Sequence, residues 1–388
     1  MKIAININEL TLKQNTGVKT YTREIVRALG EVDKENKYIL YANCREQVCL
    51  FPTAENFKLK TSKSLLPFWT YTKLSREIKK DKLDILFMPI QATPFLKKPK
   101  NIKLVVTVHD LAFLLFPKHF TFKDRFLLDF HTKRAVQMAD KIIAPSEATK
   151  RDIVKFYGVD EGKIEVVWHG VKRQFEEAEL PIGSSASGLA NKRYIFFVGS
   201  IQPRKNLVRL IEAFEILKTK FKRRRHSRMS PAEENCKLII AGGKGWLSDE
   251  IYRKAKESKF SDEIIFKGSV SDDELANLYK NAAVFVMPSL YEGFGLPVLE
   301  AMSYGIPCVV SDNSSLREIA INNNEQACLF TTGDSNDIAE KINALLSDEG
   351  LRKELSEKGI ENARRFSWEK AAREMIKVFT NFKRCDIN

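Results

Sequence analysis

The chain has 388 residues, 44% of them hydrophobic and 29% charged, and its formal net charge is +14 at pH 7. The length is too great for one ordinary core and predicts two domains in a globular protein, while the lack of any run of 18 or more apolar residues excludes a membrane-spanning helix. The positive charge predicts an anionic partner: nucleotide phosphates, nucleic acid or an anionic membrane surface. A lysine-rich surface that is merely solvated is the alternative.

The six cysteines show neither zinc-ligand spacing nor a disulfide framework, so we expect no structural metal and no disulfide. The first residues, MKIAININELTL, lack the long apolar stretch and the cleavage site of a signal peptide and are typical of a first strand. Cytoplasmic residence is the expectation that follows.

In the first half, short apolar runs alternate with longer amphipathic stretches. A strand over 2–7 precedes a helix over 21–29, and a later helix begins after the N-cap Ser146 and ends at Gly158. Further strands are expected at KYILYA, LDILFMP, KLVVTVHD, KIIAPS and KIEVVWHGV. Strands that alternate with helices predict a parallel α/β sheet covered on both faces.

Residues 172–192 lose the apolar periodicity and gather Gly, Ser and Pro, which indicates a linker. A second α/β series starts at YIFFVGS (194–200) and continues through KLIIAGG, EIIFKG, AAVFVMPS and IPCVVSD. We therefore expect domains over 1–175 and 190–369. The last helix has no strand after it, so residues 370–388 are expected to join the first domain.

A basic run, KTKFKRRRHSRMSPAEEN (218–235), interrupts the second series. It contains no interleaved aromatic residues, which favours a solvated loop extension over a surface that binds nucleic acid or acidic lipid.

The most informative segment is FVMPSLYEGFGLPVLEAMSYGIPCVVSD, residues 285–312. It predicts a buried strand, a turn containing Gly293 and Gly295, and a helix with Pro297 in its first turn. The N–H groups near Gly295 and Leu296 would point outward with the positive end of the helix dipole, which suits a diphosphate. Acidic residues beside such a site suit hydrogen bonds from the hydroxyl groups of a sugar or ribose.

These residues resemble the E-x₇-E signature of family 4 (group 1) retaining glycosyltransferases, with Glu292 and Glu300 as the two glutamates. Other landmarks of the family follow in order. Residues 16–29 resemble its N-terminal glycine loop, 105–120 its acceptor-side strand, and 197–214 its phosphate-binding strand, loop and helix. FSWEKAA (366–372) resembles the crossover into the last helix.

The resemblance implies catalytic roles for Glu292, His109, Arg204 and Lys205. It implies acceptor-side roles for His109 and Asp110. It implies a donor-binding set of Gly17, Gly199, Ser200, Arg204, Lys205, Gly242, Gly243, Gly268, Val270, Glu292, Gly293, Phe294, Gly295, Leu296 and Glu300. Each residue type is ambiguous alone, since an Arg–Lys pair is usually a surface pair and a histidine is often part of the core.

The fold implied by the resemblance is GT-B, an α/β fold in which two Rossmann-like domains with parallel sheets face a central cleft. Base contact would come from residues 267–270. The family also implies retention of anomeric configuration, no metal and no cofactor beyond the nucleotide-sugar substrate. One departure lies beyond Glu318, where Asn322, Asn323 and Asn324 stand in place of an expected glycine.

The chain most resembles bacterial mannosyltransferases of surface polysaccharide (lipopolysaccharide) assembly, which suggests transfer of mannose from GDP-mannose to a glycan or lipid-linked glycan. UDP-glucose and UDP-N-acetylglucosamine stay open as donors. A non-catalytic protein that binds polyanions is the alternative from another class, although the intact glutamates and Arg–Lys pair argue against it and no nucleic-acid partner is expected.

A peripheral position at the inner face of the membrane is a further hypothesis. Residues 62–80 combine apolar and aromatic residues with cations, as an interfacial helix on anionic lipid does: Leu65, Leu66, Phe68, Trp69 and Tyr71 with Lys73, Arg76, Lys79 and Lys80. An ordinary helix that packs its aromatic residues inside is the alternative.

Overall fold

The computed structural model describes residues 1–11, 16–44, 54–62, 69–95, 97–172, 194–221, 236–322, 325–331 and 333–385. The linker expected at 172–192 and residues 222–235 of the basic run lie almost wholly outside these ranges. Contacts between residues divide the chain into two units. Unit 1 comprises residues 1–115, 122–170 and 366–388, and unit 2 comprises residues 116–121 and 171–365.

Unit 1 contains one parallel sheet, as the alternation of strands and helices predicts. Its strands are β1 (Lys2–Asn6), β2 (Lys37–Ala42), β3 (Phe57–Thr61), β4 (Ile85–Met88), β5 (Lys103–Thr107), β6 (Lys141–Ala144) and β7 (Ile164–Val166). The order across the sheet is β3-β2-β1-β4-β5-β6-β7, so the direction of strand addition reverses between β1 and β4. The central strands are buried along nearly their whole length, which explains their continuous apolar runs.

The α-helices of unit 1 are α1 (Gly17–Val32), α2 (Ser75–Lys80), α3 (Ala112–Leu115), α4 (Phe122–Met138), α5 (Glu147–Tyr157) and α13 (Trp368–Cys385). The predicted ends of α5 are confirmed: the Ser146 hydroxyl accepts a hydrogen bond from the Thr149 N–H at 3.1 Å, and the helix stops at Gly158. The helix expected over 21–29 is longer, because the Thr16 hydroxyl caps it one residue before Gly17. α13 packs against α1 within unit 1.

Unit 2 contains a second parallel sheet with the order β10-β9-β8-β11-β12-β15. Its strands are β8 (Tyr194–Val198), β9 (Lys237–Ala241), β10 (Ile264–Gly268), β11 (Ala282–Met287), β12 (Cys308–Ser311) and β15 (Leu329–Thr331), with a separate antiparallel pair β13 (Ile321–Asn322) and β14 (Glu325–Gln326). The α-helices are α6 (Leu207–Ile216), α7 (Asp249–Glu257), α8 (Asp272–Asn281), α9 (Leu296–Ser303), α10 (Ser314–Ala320), α11 (Ser335–Ser347) and α12 (Glu349–Ala363).

The segment expected to form an interfacial helix is only partly described, since residues 63–68 fall outside the described ranges. A π-helical turn over Thr70–Leu74 leads into α2. Trp69 is buried in unit 1, where its indole N–H donates to the Ser62 hydroxyl at 3.0 Å, and Leu74 and Ile78 are buried as well. Trp69, Leu74 and Ile78 of this segment therefore belong to the core of unit 1.

Within the described residues, no helix is both long and apolar enough to span a bilayer.

Candidate active site

The sheet of unit 2 has its switch point between β8 and β11, where strands are added outward in both directions. Ligands of open parallel sheets bind beyond the carboxyl ends of the strands at such a point. Two loops start there: the one after β8 carries Arg204 and Lys205, and the one after β11 carries Glu292 and the glycine turn. The topology thus places two separate sequence motifs side by side.

The two loops are joined by buried ion pairs. The Lys205 ammonium lies 2.5 Å from Oε1 of Glu292, and Nη1 of Arg204 lies 3.3 Å from Oε2 of the same carboxylate. The Arg204 guanidinium also donates to the Tyr291 carbonyl. All three charged side chains are about nine-tenths buried, which long charged residues tolerate only when they are paired.

The charges of this cluster determine the protonation of Glu292. Burial alone would raise the pKa of this carboxyl, but the positive charges of Lys205 and Arg204 outweigh burial and hold its pKa at about 2. Glu292 is therefore a carboxylate at every physiological pH, and it can accept hydrogen bonds but cannot act as an acid.

The glycine turn is fixed by two serines that the sequence analysis did not single out. The Ser315 hydroxyl donates to the Glu292 carbonyl at 2.9 Å or to the Phe294 carbonyl at 2.8 Å, and the Ser314 hydroxyl accepts from the Glu292 N–H at 3.1 Å. Gly295 has φ of +110°, and a Cβ there would lie 2.7 Å from a Leu316 methyl carbon. Only glycine fits this turn without strain, and α9 starts directly after it with Pro297 in its first turn, as predicted.

Four further glycines assigned to donor binding lie at the ends of neighbouring strands of this sheet: Gly199 follows β8, Gly242 and Gly243 follow β9, and Gly268 is the last residue of β10. The Gly199 N–H donates to the Ala241 carbonyl at 3.0 Å, and the Gly242 N–H donates to the Gly268 carbonyl at 2.7 Å. Gly243 lies close to Ser269, since a Cβ on Gly243 would be 3.1 Å from its hydroxyl oxygen. The backbone of these loops is therefore held in place at the same sheet edge as the charged cluster.

Ser200 lies in the loop that leads to Arg204, and its hydroxyl accepts a hydrogen bond from the Gln202 side-chain amide at 2.9 Å.

Glu300 lies on α9, apart from the charged cluster. Its carboxylate accepts a hydrogen bond from the buried Tyr279 hydroxyl at 2.8 Å, a partner that the sequence did not reveal. Glu300 differs from Glu292 in this contact, because the Tyr279 hydroxyl is a neutral donor whereas Lys205 and Arg204 are cations. Two glutamates that look equivalent in the motif thus meet different chemistry.

A cavity of about 550 Å³ lies against β10 and α8, lined by Val270 together with Lys267, Glu274 and Asn277. Val270 is the one member of the donor-binding set on its wall, and none of the three charged residues of the cluster lines it. The geometry of the cluster and of the switch point, and not this cavity, identifies the candidate site.

In unit 1, His109 and Asp110 lie two and three residues after the end of β5, and Gly17 is the first residue of α1. The Asp110 carboxylate accepts the Ala112 N–H at 3.1 Å. His109 is held by its backbone N–H, which donates to the Gln91 side chain at 3.2 Å, and by its ring Nε2, which lies 2.8 Å from the Pro89 carbonyl.

The carbonyl of Pro89 can only accept, so Nε2 of His109 carries the proton and Nδ1 of the neutral ring is an acceptor. Burial lowers the pKa of His109 below its ordinary value of 6.5. Tyr21 packs against the ring edge-on with centroids 4.9 Å apart, and His169 lies 5.8 Å from it. Tyr21 and His169 were given no role by the sequence analysis: Tyr21 was predicted only to begin a helix over 21–29, and His169 belongs to no recognisable motif.

Among the described residues, no three or more His, Cys, Asp or Glu side chains gather as metal ligands would.

Two family models match the chain, one on either side of the linker that separates most of unit 1 from most of unit 2. Residues 15–175 match the family described as Glycosyltransferase Family 4, and residues 185–366 match the family described as Glycosyl transferases group 1.

Two curated relatives come from Escherichia coli. The O-antigen chain mannosyltransferase B is 28% identical over 284 residues, which is 71% of this chain and 70% of the relative. The serotype-specific mannosyltransferase WbdA is 28% identical over 285 residues, 72% of this chain but only 33% of the relative. The chain thus spans about a third of the length of this second protein.

Two solved structures show the same fold. Sucrose-phosphate synthase from Thermosynechococcus elongatus has a TM-score of 0.73 at 18% identity and covers 99% of this chain and 100% of its own. The HepE protein of Anabaena, solved with UDP and glucose, has a TM-score of 0.69 at 16% identity and covers 98% of this chain and 99% of its own. The predicted GT-B fold is confirmed.

Proposed function

Because this chain belongs to the family 4 (group 1) glycosyltransferases, we propose that it transfers a hexose from a nucleoside-diphosphate sugar to a saccharide or lipid-linked saccharide. Its activity as a glycosyltransferase follows from the family; the donor, the acceptor and the residue roles are the proposal. The observation that carries it is the buried cluster of Arg204, Lys205 and Glu292 at the switch point of unit 2.

Arg204 and Lys205 provide two positive charges in a nearly dry setting. When the bond between sugar and phosphate breaks, negative charge grows on the diphosphate, and fixed cations stabilise it more strongly there than in water. These cations also replace the charge that a divalent metal would bring, so the transfer proceeds without a metal or a further cofactor. The N–H groups at Gly295 and Leu296, at the start of α9, add partial positive charge.

Glu292 would change partners when the donor binds. A diphosphate that accepts hydrogen bonds from Lys205 and Arg204 competes for the groups that hold this carboxylate. The released carboxylate, ionised because its pKa is about 2, then accepts hydrogen bonds from hydroxyls of the transferred sugar. The carboxylate of Glu300, on α9, accepts hydrogen bonds from the hydroxyl groups of the ribose.

His109 binds the sugar through its neutral imidazole ring. Its unprotonated Nδ1 accepts a hydrogen bond from a hydroxyl group, while Pro89 fixes the ring through Nε2. Retention of anomeric configuration is part of the proposal and rests on family membership.

GDP-mannose is the proposed donor. It is supported by the name of the relative that aligns with 70% of its own length, an O-antigen chain mannosyltransferase.

A thermal-shift screen of GDP, UDP, ADP and TDP and their sugars in EDTA tests this proposal. A ligand at about 100 times its dissociation constant should stabilise the protein by roughly 2.7 kcal/mol, and we expect GDP and GDP-mannose to give the largest shift. A larger shift with UDP would replace the donor, and a shift that needs added Mn²⁺ would overturn the metal-free site. Lack of a shift with every nucleotide, together with no donor hydrolysis, would contradict the assignment of the site.

A further inference from the structure

Helix α4 of unit 1 carries an unusual number of exposed aromatic side chains. Phe122 is 84% exposed, Phe126 61% and Phe130 48%, and Leu127 beside them is 40% exposed. Among the described residues, six large apolar side chains are highly exposed, and four of them lie within residues 122–130. Soluble proteins rarely leave such a contiguous apolar patch without a partner.

The helical spacing puts the three phenylalanines on one side. They follow each other at intervals of four residues, so they form a stripe along the first half of α4. The opposite side of the helix packs into unit 1 through Thr132, Ala135 and Val136, all buried. The helix therefore has two apolar faces, and only one of them is covered by the unit.

The exposed face is positively charged. Lys123, Lys133 and Arg134 lie on the same side as the phenylalanines, and the Arg134 guanidinium sits 5.6 Å from the centre of the Phe130 ring. Of the two aspartates of α4, Asp124 lies off this face, whereas Asp129, three residues after Phe126, borders it. The Asp129 carboxylate is only partly exposed and accepts a hydrogen bond from the Tyr157 hydroxyl at 2.9 Å, while Lys123 and Lys133 are both exposed.

From this combination we propose that the exposed face of α4, defined by Phe122, Phe126, Leu127 and Phe130 with Lys123 and Lys133, is a docking surface for an anionic lipid bilayer. Rings would enter the boundary between headgroups and acyl chains while the cations remain beside the phosphates, which is how interfacial helices bind. A second copy of the chain fits this face less well, because its own cations would oppose those of the first. The surface differs from residues 62–80, whose Trp69 is buried.

The proposal does not depend on the identity of the donor or acceptor, so it is tested without an activity assay. The full chain is sedimented with vesicles of phosphatidylcholine alone or mixed with phosphatidylglycerol, at low and high salt. We expect binding to the mixed vesicles at low salt, weakened by high salt because the charges of surface residues are screened.

Two variants probe the two parts of the surface. Replacing Phe122, Phe126 and Phe130 by Ser should lower the partition coefficient by at least about tenfold, because buried aromatic area is lost. Lys123→Glu with Lys133→Glu should lower the partition coefficient by at least about thirtyfold at low salt. Each lysine near an anionic surface contributes about 1 kcal/mol to binding, and every loss of about 1.4 kcal/mol is a tenfold loss of affinity. Lys79→Glu with Lys80→Glu is the matched control: it makes the same change of charge on exposed residues of α2 and should leave binding nearly unchanged.

Melting temperatures check that the variants are folded, and Phe122→Ser alone provides a milder change at the most exposed ring. Failure of the wild-type chain to bind mixed vesicles would overturn the proposal. So would equal losses in the α4 and α2 charge variants, which would indicate a diffuse effect of the net charge. A dimer that becomes a monomer in the serine variant, with vesicle binding unchanged, would identify the face as a contact between copies instead.

Discussion

The loops that follow the strands carry charged side chains in unit 2 and a neutral ring in unit 1. In unit 2, the loops after β8 and β11 hold three ionised side chains against one another, and their mutual attraction compensates for burial. In unit 1, the loop after β5 holds a neutral imidazole through a backbone carbonyl and neighbouring aromatic rings. One arrangement is suited to a diphosphate, whose charge requires cations, and the other to hydroxyl groups, which need neutral acceptors and donors.

The comparison also shows how burial acts in opposite ways on the two sites. Burial lowers the pKa of His109 and keeps the ring neutral, whereas burial of Glu292 is overridden by Lys205 and Arg204 and leaves a carboxylate. A substitution can therefore disturb one site and leave the other intact.

The largest effect is expected from removing one cation of the cluster. Lys205→Met leaves a buried carboxylate with Arg204 as its remaining cation, and we expect the free energy of unfolding at pH 7 to fall by roughly 3 kcal/mol. The pH dependence should change with it. The pKa of Glu292 is depressed from 4.5 to about 2, so its stabilisation is complete above pH 4.5 and is lost as the pH falls toward 2. In the variant this loss should be smaller.

Denaturant unfolding between pH 7 and pH 2 measures both quantities. Lys254→Met is the matched control, since Lys254 pairs with Glu215 at 3.0 Å in the same unit but both side chains are more than a quarter exposed. That variant should lose no more than about 1 kcal/mol. Equal losses in the two variants would mean that burial does not strengthen the cluster.

The second effect separates the two glutamates of the motif. Glu292→Gln should lower kcat by roughly a hundredfold, because an ionised contact to the sugar is lost as positive charge develops on the ring. Its affinity for the nucleoside diphosphate should stay the same or increase, since Lys205 and Arg204 no longer bind a carboxylate. Glu300→Gln should mainly raise the donor KM, because ribose contacts are the same in ground and transition states.

Steady-state kinetics with varied donor, and nucleotide binding by calorimetry, distinguish these outcomes once circular dichroism shows both variants folded. If both variants lose kcat equally and leave the donor KM unchanged, the assignment of the two roles is wrong.

The smallest effect is expected from pH at the site of unit 1. The pKa of His109 is lowered below 6.5, so we expect any loss of kcat/KM that comes from protonation of this ring to be centred below pH 6.5. His109→Gln should be less active and should lack this acid limb. An acid limb centred above pH 6.5 in the wild type, absent from the variant, would show that the ring is charged more easily than its surroundings imply.

Local signals predicted most of the fold. Alternating apolar runs and amphipathic stretches gave the parallel sheets, and cap residues such as Ser146 and Gly158 gave helix ends within one residue. The order of strands was beyond this reasoning, because pairing of β8 with β11 joins segments about 90 residues apart. Burial of Trp69 was also not predictable, since aromatic residues beside lysines suit a core and a lipid surface equally.

For the candidate site, the glycine turn and its glutamates were recognisable because they form one continuous motif. The ion pairs of Glu292 were not, since Lys205 and Arg204 lie 87 and 88 residues away in the sequence. The roles of Ser314 and Ser315 were not recognisable either, since their hydrogen bonds to the turn depend on where the tertiary structure places the start of α10. Contacts of this kind are properties of topology, and a single sequence carries no local trace of them.

The place of α13 in unit 1 has a consequence for the order in which the chain can fold during synthesis. The ribosome makes every residue of unit 2 before it reaches α13, which packs on α1 and completes unit 1. Domains generally fold as the chain emerges, so the second half of the protein can reach its native state while the first still exposes the side of α1 that awaits its partner. The exposed surface of α1 is open to aggregation during this interval. Chaperones, or rapid synthesis of α13, would limit that aggregation.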